Sequence, residues 1–272
     1  RKPNLVFYRA STDNDRGCQY MYDSGIWEFV ERWQRCIDFK VEETDTKVVV
    51  RYTYELPISE DSVLIVADKR EKPSKSAGKE NKGNGRKGIR TEIVYTVTAD
   101  GKVNISLHYH GAKGLPELPL FGMEFPLKRE FEQFAYYGIG PDENYVDRNN
   151  GGKIGIFAST VTENYSPYLK PQSCGNRTET RWLELSDGEG KIRFSADVQG
   201  RPFQFTALHY RESELENAMH TGDLPAENYT YVKILAKHMG VGGDDSWGSQ
   251  VRENCRVTAE EDILYSFDIT ME

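Results

Sequence analysis

The chain is poor in cysteine, in long apolar runs and in positive charge, and each shortage excludes a class of protein. Its four cysteines are widely spaced and form no Cys-x-x-Cys pair, so neither a zinc ribbon nor a disulfide framework is expected. No apolar run approaches the roughly 20 residues that span a bilayer, so no membrane segment is expected. The formal net charge is -8 over 272 residues, which gives no support for nucleic-acid binding.

The N-terminus lacks the features of a signal peptide. Its apolar run at residues 5–8 is too short for one, which leaves the compartment of a soluble protein open between cytoplasm and periplasm. The chain begins within a strand-like run, as expected of a piece of a longer polypeptide or of a separate subunit. Its length suffices for one large β domain or two ordinary ones, and the lack of a clear boundary favours a single domain over residues 1–272.

Alternating β-branched and aromatic residues, bounded by turn residues, dominate the chain and are typical of strands. This pattern predicts strands at 39–41, 48–54, 93–97, 103–110, 124–129, 131–137, 181–185, 192–196, 203–209, 229–236 and 263–269. Asp100 and Gly101 predict a two-residue hairpin. Many strands with a turn about every ten residues indicate an all-β fold, a large antiparallel β-sandwich with one or two short helices.

Two stretches have helical spacing. Residues 23–35 carry apolar side chains at Ile26, Trp27, Val30 and Trp33, with charged residues between them. We expect both tryptophans to be packing residues. Residues 212–219 predict a second, shorter helix.

A lysine-rich segment interrupts the β pattern at about residues 68–90. It holds nine Lys and Arg against three Asp and Glu and almost no large apolar residue. Such a segment cannot bury enough surface to order itself. It is expected to be a disordered loop that joins two neighbouring strands.

The densest stretch of unusual residues is His-Met-Gly-Val-Gly-Gly-Asp-Asp-Ser-Trp at residues 238–247, called here the glycine loop. Glycine lets the backbone turn where side chains would clash, and Asp side chains bind nearby amides. Asp244 and Asp245 are therefore expected to brace the loop with His238, in preference to acting as an acid–base pair. By composition alone, Trp247 either packs in the core or is presented to a ligand such as a sugar ring.

Two stretches invite a metal hypothesis. Asp13, Asn14 and Asp15 offer oxygen ligands, but the EF-hand pattern fails because Cys18 and Ser24 stand where it needs glycine and glutamate. His108 and His110 share one face of a strand, yet no third ligand is evident. The sequence therefore predicts no metal site.

Four motifs in order carry a family resemblance. They are Arg-Ala-x-x-Asp-Asn-Asp-x-Gly at 9–17, Gly-x-Gly-Pro-x-Glu-Asn-Tyr-x-Asp-Arg at 138–148, Tyr168 with Pro171 and Gly175, and the glycine loop. Together they resemble the C-terminal domain of β-galactosidases of glycoside hydrolase family two, which in some bacteria is a separate small subunit. The resemblance covers nearly the whole chain and implies the supersandwich fold shared with galactose mutarotase-like proteins.

The resemblance also implies a division of labour. Both catalytic glutamates of the family lie on a barrel elsewhere, so this chain holds no catalytic residue and alone should not hydrolyse a β-galactoside. Magnesium and sodium are expected in the missing catalytic domains and no cofactor in this chain. The implied partner is the preceding barrel or a large subunit, whose pocket this chain completes.

Within that pocket the resemblance assigns particular residues. It implies that Trp247 offers its ring to the substrate, and that the loop carrying Arg9, Asp13, Asn14 and Asp15 lies near the same mouth and can move. Glu143 and Arg148 are expected to brace the fold.

Two other functions stay open. A stand-alone mutarotase-like epimerase would need a His and a Glu facing one sugar, with His209 or His238 as the candidates. A non-catalytic carbohydrate-binding module would bind galactose without a partner. The natural galactoside and the oligomeric state are not readable from the sequence.

Overall fold

The computed structural model describes residues 2–20, 24–58, 88–245 and 248–272. Within them the chain forms fourteen strands. In chain order these are β1 Asn4–Val6, β2 Arg35–Glu43, β3 Lys47–Leu56, β4 Ile89–Thr98, β5 Val103–Tyr109, β6 Leu120–Lys128, β7 Gln133–Gly140, β8 Lys153–Thr160, β9 Arg177–Thr180, β10 Trp182–Ser186, β11 Lys191–Ala196, β12 Phe203–Leu208, β13 Tyr229–His238 and β14 Ile263–Met271.

The strands form two antiparallel sheets. A five-stranded sheet has the order β1-β6-β13-β12-β9, and a nine-stranded sheet has the order β2-β3-β4-β5-β14-β11-β10-β7-β8. The predicted all-β antiparallel sandwich is confirmed.

Aromatic side chains from the two sheets meet in a shared core. Phe125 of β6 lies 5.0 Å from Phe194 of β11, measured between ring centroids. Phe205 of β12 contacts Phe134 of β7 edge-on at 5.9 Å. All four are buried, and such rings dominate the energetics of a core. The alternation of apolar and polar residues that predicted the strands therefore arises because one face of each sheet packs against this shared core.

Within the described residues three short α-helices accompany the sheets: α1 Asp13–Gly17, α2 Ile26–Trp33 and α3 Glu212–Asn217. No helix in the described ranges is long and apolar enough to cross a membrane. The helix predicted at 23–35 is confirmed over α2, but the role given to one tryptophan is wrong. Trp27 is fully buried, whereas Trp33 is 62% exposed because it lies on the outward face.

Two strands and one turn differ from the sequence prediction. The pattern missed β8, an edge strand whose Ile154 and Ile156 point outward and are 53% and 70% exposed. It also missed β9, which is only four residues long. The hairpin between β4 and β5 is wider than two residues, since the Thr98 amide bonds the Lys102 carbonyl.

The lysine-rich segment falls mostly outside the described residues, which omit 59–87. Its last two residues belong to β4, because that strand begins at Ile89. The strands that flank it, β3 and β4, pair directly from Lys47 with Thr98 to Leu56 with Ile89. The prediction that these two strands are neighbours is confirmed.

Glu31 of α2 links this helix to the chain that leaves β1. Its Oε2 accepts hydrogen bonds from the amides of Phe7 and Tyr8 at 3.0 and 3.2 Å. Burial raises the pKa of Glu31 from 4.5 to about 8, and the nearby Glu124 carboxylate adds to the rise. The folded state therefore holds a proton that the unfolded state releases at lower pH.

We expect the free energy of unfolding to fall as the pH rises from about 5 to about 9, because a raised carboxyl pKa favours folding only while the group is protonated. In Glu31→Gln this pH-dependent decrease in the free energy of unfolding should be smaller by about 2 kcal/mol. That value allows for screening by solvent, which reaches part of the side chain. Urea unfolding across that range measures it. Glu28→Gln on the same helix is the control, and an equal slope for Glu31→Gln and the native chain would refute the prediction.

Candidate functional site

The motif at residues 9–17, called here the Arg9 segment, folds into a turn of helix fixed by its own side chains. Thr12 is the N-cap of α1, and its Oγ1 accepts a hydrogen bond from the Asp15 amide at 3.1 Å. The Asp15 carboxylate in return accepts from the Thr12 amide at 3.0 Å. This capping box requires a hydroxyl and an acceptor three residues later. The sequence pattern indicated only a loop for this stretch and did not predict the short helix α1 within it.

Arg9 and Asp15 form a buried, bidentate ion pair across this segment. Nε of Arg9 lies 3.1 Å from Oδ2 of Asp15, and its Nη2 lies 2.8 Å from Oδ1. Both side chains are fully buried. Burial alone would lower the pKa of Arg9, but the Asp15 carboxylate outweighs burial and holds the pKa above its ordinary value. Arg9 therefore stays charged inside the protein.

The same guanidinium holds the glycine loop. Its Nη1 donates to the carbonyl of Met239 at 2.8 Å, and its Nη2 donates to the carbonyl of Gly240 at 2.9 Å. Asn14 adds a third bond, from its Nδ2 to the carbonyl of Gly242 at 3.1 Å. A guanidinium has five N–H donors. Arg9 thus joins the first and the last of the four motifs.

Asp147, from the second motif, holds the glycine loop from another side. Its carboxylate accepts from the amides of Val241 and Gly242 at 3.1 and 2.9 Å. A Cβ at Gly240 would lie 2.3 Å from Oδ2 of Asp147, so only glycine lets the carboxylate approach. Sequence reasoning did not single out Asp147, although a carboxylate in that motif was the available signal.

The two acidic residues of the glycine loop itself face solvent. Oδ1 of Asp244 accepts from Nε of Arg252 at 2.8 Å, in an exposed ion pair. Asp245 accepts from the amide of Ser249 at 3.2 Å. Both bonds tie the loop to the chain that follows it. Asp13 of the Arg9 segment is likewise exposed, and its Oδ1 lies 3.4 Å from Nη1 of Arg16.

His238 ends β13 inside the protein. It is 2% exposed, and its ring packs edge-on against Tyr145 with the centroids 5.3 Å apart. Neither ring nitrogen has a hydrogen-bond partner among the described residues. Burial, followed by the charges of Arg9 and Lys233, lowers the pKa of His238 well below its ordinary value. The imidazole is therefore neutral and packs against Tyr145 of the second motif.

Trp247, the residue predicted to meet a sugar, lies outside the described residues, as does Ser246. The next residue, Gly248, approaches the Arg9 segment closely, since a Cβ there would lie 2.8 Å from the carbonyl oxygen of Gly17. Its φ of +109° also favours glycine. Gly248, directly after the glycine loop, thus lies against the end of α1.

The interior side of the Arg9 segment is hydrogen-bonded to α3 and to the irregular segment at residues 166–177. Oε2 of Glu212 accepts from the Ala10 amide at 2.7 Å, and Oε1 of Gln172 accepts from the Asp13 amide at 2.6 Å. Oε1 of Glu212 lies 2.6 Å from Nζ of buried Lys233. The Arg9 segment is therefore held by Glu212 and Gln172 on its interior side and by the glycine loop on the other.

Glu143 connects the second and third motifs. Its Oε1 accepts from the Tyr168 hydroxyl at 2.5 Å, and its Oε2 accepts from the Gly175 amide at 2.8 Å. Arg148 lies 3.2 Å from the same carboxylate. All four motifs thus take part in hydrogen-bond networks around one region of the surface. The arrangement can present a rigid wall, because its carbonyls and amides are already bonded within the protein.

Comparison with known proteins gives the family of the chain. The family model described as beta galactosidase small chain matches residues 1–271. A β-galactosidase small subunit of Latilactobacillus sakei is 33% identical over 99% of this chain and 85% of that protein. A β-galactosidase of Halalkalibacterium halodurans is 35% identical over 98% of this chain but only 24% of that protein. The chain spans about a quarter of the length of such longer relatives.

Among solved structures, the chain is similar to a galactose 1-epimerase of Lactobacillus acidophilus, with a TM-score of 0.42 and 9% identity over 86% of this chain and 66% of that one. A galactose mutarotase-like protein of Lactobacillus casei gives a TM-score of 0.37 at 12% identity, over 86% and 73% of the two chains. The family match over residues 1–271 and the small-subunit relative identify the chain. It belongs to the β-galactosidase small-chain family.

Proposed function

We propose that this chain forms one wall of the galactoside-binding pocket of a β-galactosidase of glycoside hydrolase family two, with Trp247 as the residue that meets the sugar. The observation that carries the proposal is the placement of Arg9, whose guanidinium bonds Asp15 and the carbonyls of Met239 and Gly240. One buried side chain thereby fixes the position of the loop that carries Trp247. A binding surface gains affinity when its loops are ordered before the ligand arrives.

The rest of the pocket is expected to lie in the larger part of the enzyme. The relatives that are about four times longer are named β-galactosidases, so a catalytic barrel in the remaining polypeptide or in a large subunit is the expected partner. A retaining glycosidase uses two carboxyl groups about 5 Å apart as acid/base and nucleophile. We assign both to that partner, together with the magnesium and sodium sites.

The chain's own contribution is orientation. A tryptophan held on a braced loop offers a flat apolar face to a sugar ring, and the loop backbone keeps it in place through the reaction. Arg9, Asn14 and Asp147 act on the substrate only through the loop. They are positioning residues in this proposal.

A galactosidase assay tests the division of labour. The isolated chain should leave a chromogenic β-galactoside unhydrolysed, and the chain combined with its catalytic partner should hydrolyse it. Turnover by the isolated chain would overturn the assignment of both catalytic carboxyls to the partner.

Trp247→Ala in the assembled enzyme should lower kcat/KM by about tenfold, since loss of one stacking face removes about 1–2 kcal/mol. Steady-state kinetics with a chromogenic galactoside measure it. Trp33→Ala, which removes an exposed tryptophan on α2, is the matched control and should leave kcat/KM unchanged. Equal kinetics for both variants would exclude a sugar contact at Trp247.

The epimerase alternative finds less support in the structure. His209 is 3% exposed, and its Nε2 lies 2.7 Å from the Glu132 carboxylate while its Nδ1 lies 3.0 Å from the Tyr229 carbonyl. Both nitrogens are thus engaged, and His238 is equally buried. Neither imidazole is open to a sugar in this fold. Binding of galactose by the isolated chain would instead favour the carbohydrate-binding module.

A further inference from the structure

Two histidines stand side by side at the end of β5 in the nine-stranded sheet: His108 lies in the strand, and His110 directly follows its last residue. His108 and His110 are two residues apart and so share one face of the strand. Their ring centroids lie 3.8 Å apart, and their side chains are 28% and 37% exposed. The pair is accessible to solutes, and the backbone is held at both positions, since His108 lies in β5 and the His110 amide donates to the Arg90 carbonyl at 3.1 Å.

The neighbouring strand supplies the third ligand that the sequence pattern did not reveal. Glu92 of β4 pairs directly with His108 in the sheet register, and its Oε1 lies 3.6 Å from Nε2 of His110. One ligand atom from each of Glu92, His108 and His110 lies within 4.8 Å of the others. Among the described residues this is the one group of three or more His, Cys, Asp or Glu side chains so placed.

A fourth side chain orients the pair. Asp262 precedes β14, the strand on the other side of β5, and its Oδ2 lies 2.7 Å from Nε2 of His108 and 3.7 Å from Nδ1 of His110. Its Oδ1 accepts from the amide of Gly111 at 2.9 Å. Carboxylates in this relation to an imidazole fix the ring of a metal-binding histidine. Asp262 is itself held, so the arrangement exists before any ion arrives.

We propose that Glu92, His108 and His110 bind a zinc ion, with Asp262 as the positioning residue. Zinc takes imidazole nitrogens and carboxylate oxygens at about 2.0–2.2 Å in a tetrahedral arrangement, which places adjacent ligand atoms about 3.4 Å apart. The 3.6 Å between Glu92 and His110 is close to that separation. Two imidazoles favour zinc over magnesium or calcium, which prefer all-oxygen sites.

The ion's role would be to hold three elements of the sheet together. The four side chains come from β4, from β5 and the residue after it, and from the segment before β14, and these three strands are adjacent in the sheet. The contacts given above for the four side chains do not involve the glycine loop. Zinc is therefore expected to stabilise the fold, with no part in galactoside chemistry.

The test is zinc titration of the full chain, prepared without a histidine tag, by calorimetry with a competing chromophoric chelator. The native chain should bind one equivalent. His110→Ala should weaken binding by more than tenfold, and Asp262→Asn by about tenfold, as for other outer carboxylates. His220→Ala, which removes an exposed histidine outside the site, should leave the affinity unchanged.

Cobalt substitution identifies the ligands independently. The chain carries free cysteines, of which Cys36 is exposed. Nitrogen and oxygen ligation predicts weak visible bands without a thiolate charge-transfer band. Equal zinc affinity in His110→Ala and the native chain, or a thiolate band in the cobalt spectrum, would overturn the proposal.

Thermal unfolding provides a second readout. At a zinc concentration about 100 times Kd, the Tm of the native chain should rise by about 5 °C. The Tm of His110→Ala should not respond to zinc, while without zinc it should match the native Tm because the side chain is partly exposed. A zinc-dependent rise of equal size in both proteins would contradict the assigned ligands.

Discussion

Replacing Arg9 by alanine is expected to lower the free energy of unfolding by about 3–5 kcal/mol. The change leaves the Asp15 carboxylate buried without its cation, in a position that is fully closed to solvent. It also leaves the carbonyls of Met239 and Gly240 without the donors that now satisfy them. Unpaired buried charges and carbonyls are among the few single changes that destabilise a protein this strongly.

Urea unfolding monitored by tryptophan fluorescence measures the loss. Arg9→Lys keeps the charge but cannot form the bidentate pair, so an intermediate loss is expected. Arg32→Ala is the control, because Arg32 forms an exposed ion pair with Glu28 one helical turn away and should change stability by about 0.5 kcal/mol. A loss for Arg9→Ala no larger than that of Arg32→Ala would show that the buried network is not needed for folding.

Replacing Lys233 by alanine is expected to have an effect of similar size, about 3–5 kcal/mol. Lys233 and Glu212 are 1% and 3% exposed, with Nζ and Oε1 2.6 Å apart. Burial alone would lower the pKa of Lys233, but the Glu212 and Glu124 carboxylates outweigh it and keep the pKa above its ordinary value. The alanine variant therefore buries two carboxylates without their shared cation.

A double-mutant cycle separates the pair from its surroundings. Lys233→Met combined with Glu212→Gln removes both charges and keeps an acceptor for the Ala10 amide, so it should destabilise less than the sum of the single changes. Lys191→Ala, at an exposed pair with Glu184, should leave stability almost unchanged, because solvent screens such a pair. Strictly additive single changes would show that Lys233 and Glu212 are not coupled.

The sheets were largely readable from the sequence because alternation is a local property. Residues 103–110 alternate, and β5 occupies almost that range. The sequence pattern did not predict β8, because its apolar residues Ile154 and Ile156 face outward on an edge strand. Apolar residues usually mark the buried face of a strand, and here they mark the exposed one. The burial of Trp33 was predicted wrongly for a related reason. Its spacing fits a helix, but the residue does not lie on the buried face of that helix.

Contacts between distant segments were not readable. The sequence shows that His108 and His110 share a face, but Glu92 reaches them only through the register of β4 against β5. Likewise, nothing local to Arg9 indicates that its guanidinium will meet the glycine loop. The family resemblance brought the four motifs to attention, and the structure shows that Arg9, Asp147 and Glu143 tie them together.

The bond from Arg9 to Met239 joins positions separated by 230 residues. Contacts of such high sequence separation must overcome the entropy of closing a long loop, and folds that depend on them form slowly. The wall that we assign to the galactoside pocket is therefore expected to assemble late, after both sheets have paired. Formation of the bonds between Arg9 and the glycine loop would then mark the end of folding. Only a fully folded domain would carry a complete pocket wall.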